Sequence, residues 1–111
     1  MKAPSRGAAR GVSRQMQALE YANRVRVARA ALKQGVRAGE VKVAEVIREC
    51  PWEAETMTVL ELLRSQHSWG YTRSRNLLVS LPLNENWRVG RLTERQRLVL
   101  GSELERSSRE G

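Results

Sequence analysis

Residues 67–78, HSWGYTRSRNLL, place a glycine directly before a helical segment with two early arginines, Arg73 and Arg75. The first amides of a helix have no intrahelical acceptor, and they bear the positive end of the helix dipole. Arginines there are unfavourable unless an anion binds beside them. Gly70 lets an anion approach the backbone and permits a positive φ. The pattern indicates an anion-binding turn, and an ordinary loop before a core helix is the alternative.

Helical signals lie on both sides of this turn. From residue 13 the chain has no Pro or Gly until Gly35, which predicts a long basic helix over residues 12–35. Residues 40–50 predict a short helix that Pro51 stops, with a strand as the minor alternative. Thr58 and Thr93 begin capping boxes, with Glu or Gln three residues later. The predicted fold class is all-α, and its C-terminal part reads helix, turn, helix, turn, helix.

A chain of 111 residues without Phe supports one small helical domain. We expect a flexible basic arm over residues 1–11, a helical core over residues 36–107 and a frayed tail over residues 108–111. In the last helix, Leu98, Leu100 (or Gly101) and Leu104 are expected to face the core. The long basic helix has a thin apolar side of mostly Ala and Val, so it requires a partner to pack against.

Positive charge is concentrated in the first half of the chain. The net charge is +8, and 17 of the 20 basic residues are arginine. Residues 1–48 hold 11 Lys or Arg against three Glu, whereas the rest of the chain is balanced. Arginine grips phosphate oxygens with a planar fork, so this distribution favours a polyanionic partner. A basic surface kept for solubility and a codon bias toward arginine are the alternatives.

The sequence offers little for catalysis. His67 is the single histidine and Cys50 the single cysteine, so neither a zinc site nor an internal disulfide is expected. No nucleophile or carboxylate has an evident fixed relation to His67. No run is apolar enough to cross a bilayer, and the N terminus lacks an apolar signal region. We therefore expect a cytoplasmic protein that is not an enzyme, with no cofactor, no metal and no membrane partner.

Six segments follow one another along the chain: RVRVARAALKQG, VAEVI, MTVLELLRS, WGYTRSRNLL, RVGRL and RQRLVL. Together they resemble the actinobacterial integration host factor family, which includes phage members, from about Arg24 to the C terminus. The resemblance implies a helix-two-turn-helix core that contacts duplex DNA through backbone amides and cations. The chain departs from the family pattern at two places. Residues 67–70 are His-Ser-Trp-Gly where the family has Pro-Gly-Val-Gly, and residues 90–92 are Gly-Arg-Leu where the family has Arg-Gly-Leu.

The predicted DNA contacts form three groups. They are the first turn with the start of the helix after it (residues 70–75), the second turn (residues 88–91) and the basic helix (residues 24–33). Amides of the first turn would hold one phosphate, arginines of the second would reach the same or the opposite strand, and the helix would clamp a second stretch of backbone. The residues are Gly70, Tyr71, Thr72, Arg73 and Arg75; Arg88 and Arg91; and Arg24, Arg26, Arg29 and Lys33. Trp69 is either a wedge at the DNA surface or, as we favour, a lid on the core. Trp52 and Trp87 are expected to be packing residues.

The resemblance implies an architectural, nucleoid-associated protein that binds double-stranded DNA with little sequence preference and bends it for compaction or site-specific recombination. A recombinase or integrase complex is then a further partner. No dimerisation heptad is evident, so we expect a monomer. One alternative is a protein-interaction module that docks its basic helix into an acidic groove. The other is a dimeric helix-turn-helix repressor.

Overall fold

Five α-helices and two short 3-10 turns account for most of residues 2–110. A computed structural model describes the backbone of residues 2–110 and the side chains of residues 13–107. The elements are α1 (Lys2–Arg37), α2 (Val43–Glu49), the turn Trp52–Ala54, α3 (Val59–Arg64), α4 (Tyr71–Ser80), the turn Val89–Arg91 and α5 (Glu94–Glu110). Residues 2–110 contain no strand, so the all-α prediction is confirmed and the strand alternative for residues 40–50 is wrong. The predicted arm and tail lie outside the residues whose side chains are described.

Helix α1 ends two residues beyond the stop predicted at Gly35, because Gly39 takes the left-handed conformation. Gly39 has φ +80°, and the amides of Gly39 and Glu40 donate to the carbonyls of Val36 and Gly35 at 3.1 and 2.9 Å. This pair of hydrogen bonds is the pattern that closes a helix on a left-handed glycine. Gly35 serves packing instead, since a Cβ there would lie 2.9 Å from Val41 Cγ2.

The core lies where α2 packs along α5 and where α3 meets α4. Of the α1 side chains from residue 13 onward, which the structure describes, those near the C-terminal end reach the core, through Val36 and the half-buried Leu32. Leu100 and Leu104 of α5 are buried as predicted, but Leu98 is 55% exposed and the inward orientation predicted for it is wrong. Leu98 lies two residues from Leu100, and the helical period of 3.6 residues places the two on opposite sides.

Both predicted capping boxes begin helices. At α5 the box is reciprocal, because Thr93 Oγ1 accepts from the Gln96 amide at 3.1 Å and Gln96 Oε1 accepts from the Thr93 amide at 2.8 Å. At α3 the Thr58 hydroxyl accepts from the Glu61 amide at 3.1 Å. The Glu61 carboxylate turns instead to Lys33 of α1. A cap of this kind stabilises a helix by about 1 kcal/mol, so both starts are fixed locally.

Helices α2 and α5 are joined by polar contacts at their edges. The Arg48 guanidinium donates to both carboxylate oxygens of Glu105, at 3.1 and 2.6 Å, and these hydrogen bonds raise the pKa of Arg48. The side chain passes over Gly101, where a Cβ would come within 3.2 Å of Arg48 Nε. Arg97 Nη1 donates to the carbonyl of Ile47 at 2.9 Å, close to the C-terminal end of α2. Arg48 and Arg97 therefore help to hold α2 and α5 together.

Candidate nucleic-acid interface

The first turn leaves open space in front of the N terminus of α4. Gly70 is the N-cap with φ −91° and ψ −174°, so it does not use the positive φ that a glycine permits. Ser68 takes the left-handed conformation instead, with φ 68°. Gly70 is exposed, and a Cβ built on it would have no atom within 4 Å. Nothing in the fold requires a glycine at this position, so its effect is to keep the space beside the amides free.

The first amides of α4 are available to an external acceptor. Gly70 has no side-chain oxygen to cap them, and the amides of a first helical turn have no intrahelical partner. The Gly70 carbonyl is held from the other side by Ser74, whose amide and hydroxyl donate to it at 3.1 and 2.9 Å. Ser74 is fully buried, so it fixes the position of the turn without covering the amides.

Arg73 stands beside this open end and is positioned by Trp69. The guanidinium carbon of Arg73 lies 4.2 Å from the centroid of the Trp69 ring. Trp69 is half-buried and packs against the core, which is the lid role that the sequence favoured. A cation over an indole face is stabilised by about 0.5–1 kcal/mol at an exposed site. The pair therefore holds a positive charge at the N terminus of α4, where the dipole alone would repel it.

Arg75 and Tyr71 both point toward one carboxylate in the loop that follows α4. Glu85 Oε1 accepts from Arg75 Nε at 3.2 Å and from the Tyr71 hydroxyl at 3.3 Å. The Arg75 side chain remains 56% exposed, so the ion pair leaves its guanidinium accessible to solvent. Glu85 also accepts from the Leu60 amide at 3.2 Å through its carbonyl. This one residue therefore links the first turn to the loop that leads into the second.

The second turn, residues 88–91, uses its amides inside the protein. The Val89 amide donates to Met57 and the Gly90 amide to Glu55, each at 2.9 Å. A Cβ on Gly90 would lie 2.5 Å from Glu55 Cγ and 2.8 Å from its carbonyl oxygen, so close packing requires this glycine. Only the side chains of Arg88 and Arg91 point outward. Arg88 Nη1 donates to the Thr56 carbonyl at 3.2 Å and is still exposed.

The four cations of α1 that were predicted to contact DNA form two pairs with different surroundings. Arg29 donates to the carbonyl of Glu53 at 3.2 Å and to the Thr56 hydroxyl, and Lys33 forms an ion pair with Glu61 at 2.5 Å. These contacts attach α1 to the domain. They are needed because the thin apolar side of the helix buries too little surface to hold it there. Arg24 and Arg26 are exposed, nearer the projecting end of the helix.

Two shared residues bring the three predicted groups together. Thr56 accepts from Arg29 of α1 through its hydroxyl and from Arg88 through its carbonyl. Glu85 joins the first turn to the segment just before Arg88. The basic helix therefore contacts the second turn through Thr56, and the first turn contacts the segment before the second turn through Glu85. Sequence analysis missed Thr56, Glu85 and Ser74, since only tertiary contacts identify the first two.

Two of the three tryptophans do not behave as predicted. Trp52 is 50% exposed and Trp87 is 40% exposed, so neither is a core packing residue. Trp52 begins the 3-10 turn Trp52–Ala54 and Trp87 lies in the loop before Val89, whereas the core is filled mainly by Leu, Val, Ile and Met side chains. Exposed Trp side chains beside exposed arginines are compatible with a surface that meets a ligand.

Among the described residues, no three His, Cys, Asp or Glu side chains come close enough to bind a metal ion. Within that part, too, no helix combines the length and the apolar character that a bilayer-spanning segment needs.

These features define an all-α domain in which two turns between three helices carry an open helix N terminus and exposed arginines. The chain is similar to a solved structure of the integration host factor sIHF bound to an 8-bp palindromic DNA. The two share 28% sequence identity with a TM-score of 0.70, over 77% of this chain and 98% of that one. The sIHF-like fold that the sequence resemblance implied is therefore confirmed. No protein-family model and no curated protein sequence matches the chain.

The division of the α1 cations predicts different effects on stability. Arg29→Ala removes two hydrogen bonds that hold α1 on the domain, so we expect the free energy of unfolding to fall by about 1 kcal/mol. Arg26→Ala is the matched control, and it should change stability by less than about 0.5 kcal/mol. Urea denaturation followed by circular dichroism measures both. Equal stability of the two variants would show that Arg29 does not anchor the helix.

Proposed function

We propose that this protein binds double-stranded DNA through its phosphate backbone and acts as an architectural, nucleoid-associated protein. The observation that carries the proposal is the uncapped N terminus of α4, which combines free amides at Gly70, Tyr71 and Thr72 with the guanidinium of Arg73. Backbone amides and a helix dipole directed at one point are the usual means of binding a phosphate. The likeness to sIHF, a protein whose solved structure holds DNA, supports the same conclusion.

The remaining exposed cations extend the contact along the duplex. In this proposal Arg75, Arg88 and Arg91 meet phosphates next to the first, and Arg24 and Arg26 of α1 meet a more distant stretch of backbone. Arg29 and Lys33 contribute positive potential while they hold α1 in place. Phosphate contacts fix position without distinguishing bases, so we infer little sequence preference. Trp69 supports Arg73 and takes no direct part as a wedge.

Contacts at two separated sets of cations suit a protein that changes the path of DNA. A duplex held at the turns of the domain and along α1 would follow the protein surface, and the added phosphate contacts would offset part of the bending energy. We infer from this that the protein bends DNA, as a monomer, in compaction or in site-specific recombination alongside a recombinase or integrase. A cytoplasmic, nucleoid-associated location, in a cell or during phage infection, follows from that function.

Backbone binding predicts a strong dependence of affinity on salt. Engagement of about five phosphates gives a slope near −4 to −5 in a plot of log affinity against log salt. Arg73→Ala should reduce the steepness of that slope by about one unit and weaken binding to a mixed-sequence duplex. Fluorescence anisotropy with a duplex of about 25 bp is the measurement.

The matched control is Arg64→Ala, which removes the same charge from an exposed position on α3 outside the proposed contact. It should keep both the slope and most of the affinity. If Arg64→Ala and Arg73→Ala weaken binding equally, only total charge matters and the proposed phosphate site at α4 is wrong.

Bending predicts a gain in the circularisation of short DNA. Duplexes of about 100–150 bp are near the persistence length and close slowly on their own, so the protein should raise the yield of ligated circles. Arg24→Ala combined with Arg26→Ala should remove most of this gain while the α4 contact persists. A circle yield that does not respond to the wild-type protein would exclude bending.

A protein-interaction role for the basic helix makes the opposite prediction for these experiments. It would leave DNA binding no stronger than that of any cationic protein of equal charge, and no single arginine would matter more than another. The comparison of Arg73→Ala with Arg64→Ala therefore separates the two functions.

A further inference from the structure

A groove between α1 and the turn Trp52–Ala54 holds two aromatic rings that duplex backbone binding does not use. The groove has a volume of about 630 Å³, and Tyr21 and Trp52 lie on its lining. Their ring centroids are 6.2 Å apart and the ring planes are tilted by 42°. Tyr21 is 55% exposed and Trp52 is 50% exposed. Large rings gain free energy on burial, so a contacting pair that stays half exposed leaves ring surface open for a partner.

Positive charge surrounds this aromatic pair. The guanidinium carbon of Arg24 lies 5.8 Å from the centroid of the Tyr21 ring, and Arg26 lines the same groove. Neither arginine forms an ion pair with an acid among the described side chains. Of the two glutamates on the groove, Glu61 is already paired with Lys33, which leaves Glu55. The open cations therefore outnumber the open acids, and the groove attracts anions.

Open ring faces beside free guanidinium groups fit one kind of ligand best. Unpaired bases stack on aromatic side chains, and the phosphates that flank them pair with cations. Bases within a duplex are already stacked on each other, so they cannot meet these rings unless the duplex opens. An acidic peptide would match the arginines, but it would offer no flat partner for Tyr21 and Trp52.

We propose that this groove is a binding site for an unpaired nucleotide of single-stranded DNA. The base stacks on the Trp52 and Tyr21 rings, and Arg24 and Arg26 hold the phosphates on either side. The site lies apart from the α4 turn but shares Arg24 and Arg26 with the duplex contact proposed along α1. A single strand in the groove would therefore take the place of the duplex at these two arginines, and only the two rings belong to the groove alone. It gives the protein a way to hold the strands that opened or strongly distorted DNA exposes.

The test compares three ligands at one salt concentration by fluorescence anisotropy, with the full chain. They are an oligothymidylate of about ten nucleotides, an abasic strand of equal length and a blunt duplex. The abasic strand keeps every phosphate and removes every base, so it isolates stacking from charge. The variants are Trp52→Leu and Tyr21→Leu, which keep an apolar side chain, with the exposed Trp87→Leu as the control.

Wild type should bind the thymidylate about 5- to 100-fold more tightly than the abasic strand. Trp52→Leu and Tyr21→Leu should each remove most of that preference and leave duplex affinity unchanged within about twofold, while Trp87→Leu should keep it. Equal wild-type binding of the two single strands would mean a site for polyanions in general, and the proposal would be wrong. Equal losses for duplex and single strand in both variants would overturn it as well, since the rings would then only position α1.

Discussion

The hydrogen bonds between residues 55–60 and residues 85–90 are the contact on which the rest of the structure depends. The amides of Val59, Val89 and Gly90 donate across this pair of segments to Trp87, Met57 and Glu55. The same short segment receives Arg29 and Arg88 at Thr56. These contacts fix the position of the second turn and hold α1 on the domain. Glu85, which belongs to the same pair of segments, also contacts the first turn. Backbone pairing of this kind explains why Gly90 must lack a side chain.

Most of the arginines and lysines near these hydrogen bonds either hold a helix in place or remain exposed at the surface. Arg29, Lys33 and Arg48 have protein acceptors or acids within hydrogen-bond distance. Arg29 and Lys33 hold α1, where apolar burial is thin, and Arg48 joins α2 to α5 at the edge of the core. Arg26 and Arg91 are exposed and carry the excess charge outward. A basic composition therefore does not by itself count the phosphates that a protein can bind. The number depends on which cations the fold has already used.

Local signals in the sequence predicted the helices well, and tertiary contacts explain what they missed. Capping at Thr58 and Thr93 depends on residues three positions apart, so sequence alone identifies it. The end of α1 was misplaced because Gly35 and Gly39 look equivalent until one of them packs against Val41. Helical periodicity does not determine which of the closely spaced leucines in α5 face the core, so the inward orientation predicted for Leu98 is wrong.

The sequence predicts which residue types form the candidate site. It does not predict which of these side chains other residues of the protein contact and which remain open to a ligand. Gly70 and Arg73 were identified from the rule that a helix N terminus attracts anions, and the structure leaves that end open. No pattern in the sequence indicates that Thr56 joins α1 to the second turn, or that Trp69 lies under Arg73. Those contacts join residues that are distant in the chain or that meet only when a turn adopts one conformation.

If the free amides of α4 bind a DNA phosphate, Gly70→Ser should weaken duplex binding without damage to the fold. The site has open space and N-cap geometry, so the added hydroxyl would cap the same amides and raise the free energy of unfolding by a few tenths of a kcal/mol. Duplex affinity and thermal stability are measured on the same samples. We expect slightly higher stability with affinity reduced by roughly tenfold or more, because the phosphate loses its donors. Higher stability with unchanged affinity would contradict the account.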